Sequence, residues 1–257
     1  MAEPPLLRVS DVTVRFGGLT ALDRVSFTAG HGEVLGVIGP NGAGKTTLFN
    51  VVCGFQQAQE GSLRWRGQVL RGHSPHRLAA LGITRTLQGL GLFGHCTVLD
   101  NVMIGADRHA RTGGLAGFFG LRRTAREDRA LRERAMAVLA DLGIDGHRDA
   151  LPGALPYGLA KRVALARALV AEPDLLLLDE PAGGLSEQDM EDLGSRVRHL
   201  AESMAVVLVE HHMDLVMKVC DRVVVLDFGR VIADGTPAQV QADPAVTEAY
   251  LGAVPRA

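Results

Sequence analysis

At 257 residues the chain can form one large α/β domain, or a core with a smaller subdomain. Its 47% hydrophobic and 22% charged content is ordinary for a globular protein. A formal net charge of −2, with a pI near 6.5, excludes the basic footprint of a nucleic-acid binder, so no nucleic-acid partner is expected.

Residues 6–16 alternate apolar and polar, which predicts a half-buried antiparallel strand. Residues 33–39 are a short apolar run ending in glycine. A predicted helix over 44–53 follows it and stops at Gly54. The middle, about 90–158, is helix-rich without a convincing strand, and we read it as a helical subdomain inserted in the core. There Thr97 can cap a first helix, and a longer one covers about 122–142 and ends at Gly143. Between them residues 111–120 form a glycine-rich link. Residues 106–134 carry eight arginines against four acids, which fits either a solvated helix face or contact with anionic headgroups or an acidic partner surface. Apolar runs return at 174–180, 205–210 and 222–227, separated by predicted helices over 187–203 (capped by Ser186) and 212–220. Such runs suit strands buried on both faces, and strand–helix alternation predicts a doubly wound parallel sheet.

The chemistry concentrates at the ends of those runs. Gly39-Pro-Asn-Gly-Ala-Gly-Lys-Thr46 has the spacing of a phosphate loop and lies between an apolar strand and a helix, the context that motif requires. Its glycines let backbone N–H groups converge on phosphates at a helix N-terminus. Lys45 supplies a positive charge for the β- and γ-phosphates and Thr46 a hydroxyl for Mg²⁺. Asp179 ends a four-leucine run, where its carboxylate emerges at the edge of the sheet and can hold Mg²⁺ through water. Glu180, one residue on, can polarise an attacking water. Gln88 could reach Mg²⁺ or that water, but in isolation a glutamine there reads as a surface residue. His211 could contact a γ-phosphate. The His211-His212 pair is not read as a metal site, because no further His, Cys or acid stands at ligand spacing. Phe16, before Gly17-Gly18, could stack on a purine or simply pack at a sheet edge.

Two kinase-like triplets, His147-Arg-Asp149 and Asp227-Phe-Gly229, lack the partner motifs of a kinase; the second reads as a turn between strands. GTPase specificity motifs are missing. Cys53, Cys96 and Cys220 are widely separated, which argues against a disulfide framework or zinc site and fits a reducing cytoplasm. The N-terminal residues lack the pattern of a signal peptide, and nowhere do 18 apolar residues run together. Any membrane role is therefore expected to come through partners.

In order, Phe16, the 39–46 loop, Gln88, Leu155-Pro-Tyr-Gly158, the leucine run with Asp179-Glu180, and His211 resemble the ATP-binding subunit of ABC transporters. The resemblance covers nearly the whole chain. Finer features look like the LivG-type subunit of branched-chain amino acid importers. These are residues 15–22, 82–93, the insertion near 107–125, 155–158, 209–217 and 248–252. The resemblance implies a single ABC domain over 1–257. Its α/β P-loop NTPase (RecA-like) core carries an antiparallel β subdomain, the helical insertion at about 90–158 and a C-terminal extension at about 236–257. It also implies ATP and Mg²⁺ as ligands. Gly39, Pro40, Asn41, Gly42, Ala43, Gly44, Lys45, Thr46 and Thr47 would hold the phosphates and Phe16 the base. Thr46, Gln88 and Asp179 would surround the metal, and Glu180, His211 and Gln88 would serve hydrolysis. Two ATP-binding subunits, identical or different, close head to tail, so Leu155, Pro156, Tyr157 and Gly158 would face the partner's ATP. Two membrane permeases and an extracytoplasmic solute-binding protein complete the expected assembly, with this chain peripheral on the cytoplasmic face. A soluble non-transport ABC ATPase and a weakly hydrolysing regulatory subunit are the alternatives.

The segment 155–159 departs from the family's Leu-Ser-Gly-Gly-Gln. Pro156 removes a hydroxyl and an N–H, and Leu159 removes a polar side chain, from a site expected to face a γ-phosphate. Losing a donor from a preorganised anion site costs about 2–4 kcal/mol of transition-state stabilisation. A proline is tolerated in the first turn of a helix, so a helix from Gly158 is expected to survive. Ser186 and His212 each stand where the family often has an acid.

Overall fold

The alternating segment at the start folds as strand β1 (Leu7–Phe16) and pairs with β2 (Leu19–Ala29) and β4 (Glu60–Trp65), both antiparallel. With β5 (Gln68–Val69) they form a four-stranded sheet in the order β2-β1-β4-β5. The computed structural model describes residues 4–86, 89–106 and 122–251.

The second sheet takes the four apolar runs as β3 (Val34–Ile38), β7 (Leu175–Asp179), β8 (Ala205–Val209) and β9 (Arg222–Asp227), and adds β6 (Ile83–Arg85) and β10 (Arg230–Gly235). Its order is β10-β9-β3-β8-β7-β6, parallel except for the β9–β10 hairpin. Strands β3, β7 and β8 are buried along their whole length, the consequence of both faces being covered. Their side chains alternate between two cores. Ile38, Leu176, Leu178, Val206 and Leu208 point into one, and Leu35, Val37, Leu175, Leu177 and Val207 into the other.

Among the described residues the α-helices are α1 (Lys45–Val52), α2 (Leu78–Leu81), α3 (Val98–Gly105), α4 (Arg122–Asp141), α5 (Tyr157–Leu169), α6 (Glu187–Ala201), α7 (Met213–Val219), α8 (Pro237–Gln241) and α9 (Pro244–Leu251). Helix α1 fills the core between the two sheets with Leu48, Phe49, Val51 and Val52. Helices α3, α4 and α5 pack on one another. Thr97 caps α3 in a capping box with Asp100, and Ser186 caps α6 through the Asp189 N–H, as the sequence predicts. The glycine-rich link 111–120 and Gln88 lie outside the described residues. Asp227-Phe-Gly229 is the predicted strand-to-strand turn, joining β9 to β10.

Strand order fixes what can meet. The C-terminal ends of β3, β8, β7 and β6 lie side by side, so the segments that follow them share one edge of the sheet.

Candidate active site

The loop after β3 is held by close backbone packing. Gly39 (φ 152°) and Gly44 (φ 104°) lie where a Cβ would come within 2.1 Å of the Leu226 carbonyl and 2.6 Å of the Ala21 carbonyl, respectively. Only glycine fits both, so the loop's course is set by neighbouring backbone as much as by its own turn geometry. Gly44 is the left-handed N-cap of α1 and supplies no side-chain cap, so the N–H groups of the first turn face outward for an anion. Pro40, Asn41, Gly42 and Ala43 form the loop between, closed by the Ala43 N–H donating to the Pro40 carbonyl. Lys45 is buried, and its Nζ donates to the carbonyls of Gly39 (2.6 Å) and Pro40 (2.9 Å). Burial holds the Lys45 ammonium below the usual lysine range, while the Glu180 carboxylate pulls the other way. Thr46 is exposed and Thr47 half-buried on the same turn.

Two strands over, Asp179 is the last residue of β7 and its side chain is 4% exposed. Its Oδ2 lies 2.6 Å from Nη2 of Arg85 on β6, whose Nη1 donates to Oδ1 of Asn50 on α1 at 2.9 Å. Glu180 follows in a left-handed conformation (φ 47°), its N–H donating to the Val209 carbonyl. That conformation is uncommon for a residue with a side chain. It turns the chain out of the strand immediately after Asp179, so the two carboxylates leave in different directions. The Glu180 carbonyl in turn accepts from Nζ of Lys161 at 3.2 Å.

Between these segments, β8 delivers Glu210, His211 and His212. The His211 side chain is 55% exposed and its ring centroid lies 4.3 Å from that of His212. Contrary to the expectation that no further acid stands at ligand distance, Glu210 brings a carboxylate within 4.8 Å of both histidines. Its oxygens are already engaged by N–H groups, which argues against a metal at this cluster.

Phe16 ends β1 half exposed beside the Gly17 turn. The segment 155–159 lies at the start of α5. That helix begins at Tyr157, one residue earlier than expected, with Pro156 at the cap rather than in the first turn. Tyr157 and Pro156 are exposed; Tyr157 packs on Gly184, and Gly158 lies against Asp189. Leu155 and Leu159 pack on the core instead, so Leu159 is an anchor of α5.

The structure thus lines up the phosphate loop, Glu210 with the histidine pair, Asp179-Glu180 and Arg85 in sheet order. Arg85, Glu210 and Lys161 went unread in the sequence. The available signal for Arg85 was a charge inside a short strand, and for Glu210 an acid closing an all-aliphatic run.

The ABC transporter family model matches residues 22–183, which include the phosphate loop, the 155–158 segment and Asp179-Glu180. The chain belongs to the ABC transporter ATP-binding family. As an ABC ATPase it binds nucleotide and hydrolyses ATP. A second model, the branched-chain amino acid ATP-binding cassette transporter family, matches residues 230–254. The chain is 39% identical over 250 residues (96% of this chain, 98% of the relative) to the high-affinity branched-chain amino acid transport ATP-binding protein BraF of Pseudomonas aeruginosa. It is 36% identical over 250 residues, with the same coverage, to the LivG protein of Escherichia coli K12, which bears the same description. A solved ADP conformation of an ATP-binding cassette of an ABC transporter superposes with a TM-score of 0.84 at 32% identity, covering 97% of this chain and 100% of that one. Among the described residues of this ABC ATPase, no helix is long and apolar enough to cross a membrane.

Proposed function

We propose that this ATPase powers the import of branched-chain amino acids or related small polar substrates, working peripherally on the cytoplasmic face of the membrane. It would act with a second ATP-binding subunit, two permeases and an extracytoplasmic solute-binding protein. The observation that carries the reading is the likeness to BraF and LivG over 96% of the chain, with the C-terminal stretch 230–254 matching a model specific to that transporter class.

In this reading the N–H groups of residues 39–47 and the Lys45 ammonium bind the phosphates, and Phe16 stacks on the base. Glu180 accepts a proton from the attacking water while His211 donates to the γ-phosphate. Lys45 leaves its two carbonyl partners for phosphate oxygens at little cost, since its side chain already lies in the loop. The donor set suits Mg²⁺: an exposed Thr46 hydroxyl and the Asp179 carboxylate, one oxygen of which is held by Arg85, are hard oxygen ligands, and Gln88 would add an amide oxygen. When bound, the ion would neutralise charge on the β- and γ-phosphates. Leu155, Pro156, Tyr157 and Gly158, with Pro156 and Tyr157 exposed at the head of α5, serve the ATP held by the partner subunit.

The test is reconstitution in proteoliposomes with the two permeases and the binding protein. ATP-driven uptake of leucine, isoleucine or valine is expected. Uptake of urea or amides alone would keep the transport reading and replace the cargo, and ATP turnover without uptake of any solute would remove it.

A further inference from the structure

Glu210 is fully buried, and its hydrogen-bond partners among the described residues are N–H groups rather than a lysine or arginine. One oxygen, Oε1, accepts from the Ala182 N–H at 2.7 Å. The other, Oε2, accepts from the N–H groups of His211 (3.0 Å) and His212 (3.3 Å) and lies 3.0 Å from Nδ1 of His212. Ala182 sits two residues after Glu180, in the turn that Gly183 closes back onto the Glu180 carbonyl. One carboxylate therefore bridges the segment that carries Glu180 and the segment that carries His211.

We propose that Glu210 is the positioning residue that sets the spacing between Glu180 and His211, and so the geometry of water attack; this rests on the roles given above to those two side chains. The sheet brings the segments only part of the way. Asp179 is paired with Val209, and the Glu180 N–H with the Val209 carbonyl, after which ladder pairing stops. Beyond that point Glu210 supplies the next cross-connection. A carboxylate is suited to it because an ionised carboxylate only accepts, and each of these contacts offers a donor. Bonds from N–H groups to an ionised acceptor are among the stronger ones in proteins and fix direction as well as distance. His212 adds a side-chain donor to the same oxygen, which gives this residue a task that does not require it to touch nucleotide. The same oxygen lies 3.9 Å from Nδ1 of His211, so the carboxylate sits beside that ring without a hydrogen bond to it.

Glu210→Gln keeps volume and shape but forces an amide NH₂ against either the Ala182 N–H or the histidine N–H groups. The measurements are ATP turnover, KM for ATP, affinity for a non-hydrolysable ATP analogue and thermal unfolding. A fall in kcat of about 10- to 100-fold, typical of lost outer-shell support, is expected, with KM and analogue affinity within about threefold of wild type. A folded variant with unchanged kcat would overturn the proposal, as would one in which kcat holds and only ATP affinity falls. Should Glu210→Gln fail to fold, His212→Ala decides, since that ring is only partly buried and three backbone contacts remain. A severalfold lower kcat at constant KM supports the proposal, and unchanged kcat overturns it. Glu180→Gln run in parallel separates the two levels. If it turns over normally, the role given to Glu180 fails. If it is inactive while the Glu210 variant is normal, only the positioning role fails.

Discussion

Arg85 and Asp179 form a largely buried ion pair, with side chains 11% and 4% exposed and a nitrogen–oxygen distance of 2.6 Å. The same guanidinium lies over the Phe49 ring, 5.5 Å from its centroid, and holds Asn50, so it ties the helix of the phosphate loop to the strand that presents Asp179. Removing one member of a buried pair leaves the other charge without compensation and destabilises by about 3–5 kcal/mol. Arg85→Met is therefore expected to lower the urea midpoint strongly, and Arg85→Met with Asp179→Asn to recover part of the loss. Equal midpoints for wild type and the single variant would show that the pair contributes nothing to the fold.

Glu180→Gln is expected to abolish turnover while keeping ATP affinity, and to trap ATP-bound dimers by size-exclusion chromatography. A monomeric, fully active variant would remove Glu180 as the water-polarising residue.

Pro156 occupies the cap of α5 without contributing a side-chain acceptor. Pro156→Ser restores a hydroxyl that can accept from the first turn of the helix, worth about 1 kcal/mol of stability, and returns an N–H to the exposed surface. Turnover at the partner subunit's site is expected to rise, by at most the 10²–10³-fold, on the order of one recovered donor, that such sites show. Single-turnover measurements on a mixed dimer report which site has changed. No rise there would mean that the N–H groups remaining at the helix start already suffice.

The cysteines give a pH prediction. Burial pushes the Cys53 thiol up to about 11 and the Cys220 thiol up to about 12, from an ordinary value of 9.0. The folded state thus retains protons that the unfolded state releases once pH passes 9. Their contribution to stability is complete below about pH 9 and declines as pH rises toward 11–12. At pH 8 the native protein is expected to be alkylated at Cys96, the partly exposed thiol, and at all three after unfolding. Rapid native labelling of Cys53 or Cys220 would contradict the burial seen here.

What the sequence made legible follows from where the information sits. The 39–46 loop, Asp179-Glu180 and the caps at Thr97 and Ser186 are local patterns whose residues act close to where they stand in the chain. The buried strands announced themselves because β3, β7, β8 and β9 each contain a continuous apolar run. Strand β6, three residues with an arginine at its end, carried too little pattern, and β2 and β4 were not separated from the loops around them. Arg85 and Glu210 were illegible for a different reason. Their partners, Asp179 for one and Ala182 for the other, are neighbours only through the strand order β8-β7-β6, which no local window contains. Leu159 was read as a lost polar group because its family position drew attention to a ligand, whereas its packing belongs to the helix core.

The left-handed backbone at Glu180 separates two demands on one position. A residue held at φ 47° is most comfortable as glycine or asparagine, and a glutamate there carries strain of about 1–3 kcal/mol. Gly and Asn should be welcome at this position by any assay that scores only soluble, folded protein, and both should fail one that scores phosphate release. A library of variants at Glu180 sorted by each criterion should therefore rank its winners in opposite order.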